Sequence, residues 1–277
     1  MTTFTDYRLI ARDIPTSLQR VSEQTTVARE TEYYLENIGK ADTIEDFLKD
    51  DRLFNYAMKA HGLEEMSYAK GLMRKVLEGG TDDDDALANK FTDTRYKEFA
   101  EAFDFVTHKD NATIFTAASQ GTVDKYLQQT LEENAGADNQ GVRLALYFER
   151  KMPDLLAEFS AENSDFDEES RNRSIVFSIL GDNALADVVR TALGIPPETV
   201  VADIDNQAAA IMSKLDFDDL RDPEGLSDFM ERFTSLWEVS NPTGGYTSAL
   251  DLLGSGSNFG ISTDLMLSIN NLKLGGR

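Results

Sequence analysis

An all-α, multihelical protein is predicted by three observations. Apolar residues recur at helical spacing along most of the chain, as in Leu53, Tyr56, Ala57 and Ala60. Sustained period-two alternation rich in β-branched residues, the mark of a strand, occurs nowhere. One stretch also recurs with its stop signal. Leu53, Ala60, Gly62 and Leu63 are met 132 positions later by Leu185, Ala192, Gly194 and Ile195. Upstream, Phe47, Leu48 and Asp50 meet Ile179, Leu180 and Asp182. A glycine just past the last turn takes the left-handed backbone that ends a helix cheaply. The recurrence predicts two related helical units, an internal duplication, with helical N- and C-terminal arms.

The expected organisation is a helical arm over 1–40, a first helical unit over 41–120, connecting helices over 121–172 and a second unit over 173–240. Flexible linkers and a C-terminal amphipathic helix complete it over 241–277. In the arm, Leu18, Val21, Ala28, Leu35 and Ile38 trace one long, thinly apolar helix that packs on a partner or on the body. Thr43 with Asp46 three residues on resembles a capping box. The helix of Leu53–Ala60 follows, then a stripe of Tyr68, Leu72, Met73, Val76 and Leu77 that Gly79 and Gly80 end. Tyr96, Phe99, Phe103 and Phe105 form an aromatic face, and Phe99 and Phe103 are answered 130 positions later by Phe229 and Phe233. Between the units, Val123 to Asn134 reads as helix, and Asn139 caps a longer one in which Pro153 predicts a kink or a split. Residues 163–172 read as a polar loop, and Pro196 opens a helix through Val200, Ile204, Ala208, Ile211 and Leu215. Glycine- and serine-rich linkers then flank two short apolar segments, and in the last of them Ile261, Leu265, Ile269 and Leu272 share one face.

Composition narrows the function. The 277 residues are 41% hydrophobic, enough to bury a sizeable core. Fifty acidic residues against 27 basic ones leave a net charge of −23, which repels phosphate backbones and anionic membranes. Nucleic acid is therefore not an expected partner. No apolar run approaches a membrane span, so no insertion is expected, and the charged N-terminus lacks a signal-peptide core. The protein is expected in the cytoplasm, or outside it by a route that needs no cleaved signal. Cysteine is absent, which excludes disulfides, thiolate metal sites and cysteine nucleophiles.

No residue pattern points to catalysis, a cofactor or a metal. The acidic run Asp82–Asp85 lacks the alternating ligands of a calcium loop and reads as a solvated loop. Asp216, Asp218, Asp219, Asp222 and Glu224 look more like a site, but Leu220 stands at a ligand position and the required glycine is missing. That stretch reads as an acid-rich helix start. His61 precedes the stop glycine, where a histidine can cap the last carbonyls, and Leu193 replaces it in the second unit. His108 stands alone in a loop. Glu101 and Glu231 coincide between the units and read as solvated or paired with Lys97 and Arg232.

Several segments nevertheless carry a resemblance. They are Val27 through Lys40, Ile44 through Leu48, Tyr56 through Leu63, Tyr68 through Leu77, Tyr126 through Glu133, Gly141 through Lys151 and Val188 through Gly194. Through them the chain resembles the alphaproteobacterial domain-of-unknown-function family 1217, over roughly residues 5–240. The resemblance implies a helical protein without established enzymatic activity, often encoded among flagellar genes, and it supplies no catalytic residue. What it implies for function is a non-enzymatic flagellum-associated structural or assembly protein acting through helical surfaces, with flagellar axial or export components as protein partners. Ile261, Leu265, Ile269 and Leu272 are the expected partner-binding residues. The alternative is a cytoplasmic adaptor or export chaperone that binds a partner helix, and the third reading is an enzyme of unknown type.

Overall fold

The computed structural model describes residues 2–160, 162, 166–196, 199 and 203–241. Every regular element among them is a helix. In order they are α1 (Thr3–Ala11), α2 (Ile14–Ser22), α3 (Thr25–Asn37), α4 (Ile44–Lys49), α5 (Asp51–Ala60), α6 (Lys70–Gly79), α7 (Leu87–Lys90) and α8 (Arg95–Ala102). Then come α9 (Phe105–His108), α10 (Gln120–Asp138), α11 (Gln140–Glu158), α12 (Glu168–Gly181), α13 (Asn183–Ala192), α14 (Ile204–Met212), α15 (Phe217–Arg221) and α16 (Pro223–Ser240). Short 3-10 turns occupy Ile38–Lys40, Glu64–Met66 and Lys109–Ile114. Residues Met1–Trp237 form one compact unit.

Two hydrophobic cores lie within the first unit. The first runs from Val21 to Tyr126; the second takes Tyr7 and residues between Val142 and Phe233. Phe47 sits at the centre of the first core, with the rings of Phe103, Phe54, Phe99 and Phe105 centred 4.8, 5.9, 6.3 and 6.3 Å away. Tyr34, Tyr56 and Tyr126 stack beside it at 4.3 and 3.8 Å. The buried Tyr34 hydroxyl donates to the Ala118 carbonyl at 2.6 Å. In the second core Phe148 stacks on Phe229 at 5.4 Å, and Phe233 is fully buried.

The segments that match in sequence also match in local geometry. α5 and α13 are both ten residues long and start 132 positions apart. The Asp50 carboxylate accepts from the amides of Arg52 and Leu53, and the Asp182 carboxylate from those of Ala184 and Leu185. Such caps satisfy amides that the helix itself leaves open. Gly62 and Gly194 have φ of 68° and 61°. Beyond them the Leu63 amide donates to Met58 and the Ile195 amide to Arg190, both at 2.8 Å, which closes a Schellman stop in each case.

Four local expectations change, the first being that α14 starts at Ile204, capped by Asp203, and not at Pro196. The arm is not one long helix: α2 ends at Ser22, Gln24 is extended, and α3 starts at Thr25. Val21 and Val27 would point in different directions on a continuous helix; the break lets both enter the first core. Pro153 does not split α11, because it lies on the exposed face where water can replace the lost hydrogen bond. The polar loop of 163–172 is shorter than expected, since the Asp167 carboxylate caps α12 from the Ser170 amide and the helix begins at Glu168. Thr43 does cap α4, its hydroxyl accepting from the Asp46 amide at 3.1 Å, but the box does not close: the Asp46 carboxylate takes that hydroxyl at 2.6 Å in place of the Thr43 amide. Val200 and everything beyond Asn241 lie outside the described residues.

The corner between α10 and α11 gathers distant parts of the chain. Asn139 caps α11 through the Gly141 amide and donates its side-chain amide to the Thr3 hydroxyl at 2.9 Å. A Cβ on Gly141 would stand 2.3 Å from Trp237, so only glycine admits that ring. Truncating Phe103 or Phe233, both fully buried, to alanine should each cost about 3–5 kcal/mol in lost transfer energy and cavity. Urea midpoints measured for Phe103→Ala and Phe233→Ala check this, and midpoints close to wild type contradict it.

Candidate functional site: a polar seam and two surfaces

α10 and α11 run between the two cores, and a seam of charged side chains follows them. Arg150 of α11 donates to both oxygens of Glu132 on α10, at 2.6 and 3.1 Å. The Glu132 side chain is only 4% exposed. Lys151 of α11 reaches across to Glu98 of α8 at 2.5 Å, and Lys125 of α10 stands 3.8 Å from the same carboxylate. Lys59 of α5 pairs with Glu133 of α10 at 2.6 Å. Arg95 closes the seam, gripping Asp93 with its Nε and Nη2 and donating Nη1 to the Gly62 carbonyl at 2.5 Å. The Asp93 side chain holds Arg95 above its ordinary pKa, against the effect of burial.

Two tyrosines bond to the helix-capping aspartates, and sequence reasoning missed both. Tyr33 donates to Asp50 at 2.8 Å and Tyr147 donates to Asp182 at 2.5 Å. Burial first, then the Asp182 charge, push the Tyr147 hydroxyl far above its ordinary pKa, so it stays a donor. An arginine lies over each ring: Arg52 at 3.9 Å from the Tyr33 centroid and Arg150 at 5.1 Å from that of Tyr147. The tyrosines are 114 positions apart while the aspartates are 132 apart, so a single sliding comparison does not pair them.

His61 departs from expectation. Its backbone N–H donates within the helix end, but the ring caps no carbonyl. Instead the imidazole is 6% exposed and packs edge-on to Phe99 at 5.3 Å. Tertiary burial against the aromatic face overrides the local capping rule. His108 lies not in a loop but at the end of α9, its ring 4.1 Å from that of Phe115. Glu101 is exposed and 3.9 Å from Lys97, as its spacing suggests.

Two surfaces complete the inventory. Around the α9 corner, Val106, Ile114 and Phe115 are 44%, 59% and 45% exposed. They stand on a buried base of Phe105, Ala112 and Thr113, whose hydroxyl donates to the Ala41 carbonyl. Elsewhere, a shallow groove of about 400 Å³ is lined by Glu168, Lys214, Leu215, Asp216, Phe217 and Asp218, among others. Its acids include helix caps, since Asp216 accepts from the Asp218 amide. Among the described residues no group of three or more histidines or carboxylates is placed to hold a metal ion. None of their helices is long and apolar enough to cross a membrane. Ile261, Leu265, Ile269 and Leu272 lie outside the described residues.

A family model described as protein of unknown function, DUF1217, matches residues 60–226, more than half of the chain. The chain belongs to the DUF1217 family. A crystal structure of a protein from Agrobacterium tumefaciens, solved by structural genomics, is similar at 48% identity with a TM-score of 0.73. The similarity covers 87% of this chain and 94% of that one. No curated protein matches the chain. The DUF1217 match spans α6 to α15 and includes both sides of the seam.

Removing one partner of a buried ion pair strands the other charge, whereas removing both often costs little. Arg150→Met should therefore lower stability by about 3–5 kcal/mol. Arg150→Met combined with Glu132→Leu should recover most of that loss. A double-mutant cycle on denaturant midpoints checks both expectations.

Proposed function

We propose that this DUF1217 protein is a non-enzymatic, flagellum-associated structural or assembly protein that acts through helical surfaces. The observation that carries a surface role is the apolar corner of Val106, Ile114 and Phe115. Three large apolar side chains within ten residues stand open on a well-anchored base. Exposed apolar clusters on an otherwise charged protein mark contact surfaces. The flagellar assignment rests on the family resemblance carried by Val27–Lys40, Tyr56–Leu63 and Gly141–Lys151. Its partners are then axial or export components of the flagellum, and its C-terminal stripe of Ile261, Leu265, Ile269 and Leu272 shares in the contact.

Internal duplication belongs to the same proposal. It is supported by the shared bounds, aspartate caps and glycine stops of α5 and α13. A second reading, a cytoplasmic adaptor or export chaperone, is favoured by the acidic groove at Glu168, Asp216 and Asp218 over an apolar floor of Leu215 and Phe217. Such a groove suits the basic, amphipathic face of a partner helix.

Paired substitutions separate these readings. Leu265→Asp with Ile269→Asp, or Ile114→Asp with Phe115→Asp, should abolish motility or association with flagella while Tm stays near wild type. A matching fall in Tm would mean that the segment serves its own core. Intact motility and localisation in both variants would remove the flagellar role.

A further inference from the structure

The first core contains a titratable group that the fold does not use for capping and does not satisfy. Neither ring nitrogen of His61 has a hydrogen-bond partner. Its neighbours are the rings of Phe99 at 5.3 Å and Phe103 at 6.0 Å. The helix stop does not require an imidazole, because Leu193 fills the same position before Gly194. A buried ring of this kind is tolerated only while neutral.

The charged groups around it leave no carboxylate to receive a proton-bearing ring. Lys125 from α10 and Lys151 from α11 are the charges that act on His61. Between them stands Glu98 of α8, already engaged by Lys151 at 2.5 Å and 3.8 Å from Lys125. On its own helix, Lys59 is paired with Glu133 of α10. At the start of α8, Asp93 is held by Arg95. An imidazolium here would add a third cation beside two lysines that share the Glu98 carboxylate, with the exposed Glu101 of α8 also acting on Lys125.

We propose that His61 is a built-in acid trigger, its protonation coupled to opening of the packing between α5, α8 and α10. Burial, then the charges of Lys125 and Lys151, hold the ring well below its ordinary pKa of 6.5. A histidine with a depressed folded-state pKa binds fewer protons in the native state than in the unfolded one. Its stability contribution is complete above about pH 6.5 and falls as pH drops below that value, until the folded-state pKa is reached. Acidification then loosens the aromatic face of Phe99 and Phe103 while the second core, which has no histidine, is spared.

The test uses the full-length chain, with urea unfolding followed from pH 8 to pH 5 for wild type, His61→Leu and His61→Gln. The leucine copies position 193; the glutamine stays polar but cannot ionise, which covers a folding failure of the first variant. Relative to each variant, the wild-type folding constant should fall by up to about tenfold per pH unit below pH 6.5 and hold steady above it. Hydrogen exchange at pH 5.5 should speed up in α5 and α8 relative to α13 and α16 in wild type alone. A ratio that stays constant with pH, native His61 ring resonances that titrate at the ordinary value, or equal exchange in the two cores would each overturn the proposal.

Discussion

The pairing of Arg150 with Glu132 is the constraint on which the rest of the structure depends. α10 lines the first core through Val123 and Tyr126, and α11 lines the second through Val142, Phe148 and Met152. A bidentate guanidinium–carboxylate pair fixes both distance and rotation between two helices, which a greasy contact does not. Once that register is set, Lys151 meets Glu98, Lys59 meets Glu133, and Tyr147 reaches Asp182. The two cores are thereby held by directional contacts while each keeps its own apolar packing.

The helix ends explain why this arrangement is reached from local signals. Asp50 and Asp182 start helices that Gly62 and Gly194 stop twelve residues later, and both stops close with the same six-residue hydrogen bond. Arg95 then donates to the Gly62 carbonyl, so a local stop also serves as an anchor for α8. Ring packing around Phe47 completes the first core. Offset and edge-on ring pairs of this kind add specificity beyond the area they bury.

Features that depend on neighbours within a few residues were legible in the sequence. The bounds of α5 and α13, the Thr43 cap, the Asn139 cap and the burial of Phe99, Phe103 and Phe233 all follow from short-range spacing. What the sequence hid depends on contacts across long separations. Glu132 and Arg150 lie on different helices, and no rule of helical spacing pairs residues 18 apart. The tyrosine partners of the caps are 17 and 35 residues away, so neither matching nor motif brings them forward. His61 was misplaced for the converse reason: its position before Gly62 obeys a capping pattern, yet aromatic burial claims the ring. The break between α2 and α3 is also a tertiary decision, since it turns Val21 and Val27 into one core.

This division of labour suits a protein whose interior sets shape and whose outside meets other chains. The seam holds the buried Glu132 and its partners, while the apolar corner at Val106, Ile114 and Phe115 stays exposed. The proposed partner of that contact is the flagellum. That assignment is tested most directly by following the untagged native protein through cell fractionation and purification of intact flagella. The account predicts recovery with the flagella or in the culture fluid, in amounts that a motility-deficient strain lacking assembled flagella does not reproduce. Strict retention in the cytoplasm, with none in either fraction, would contradict it and favour the adaptor reading.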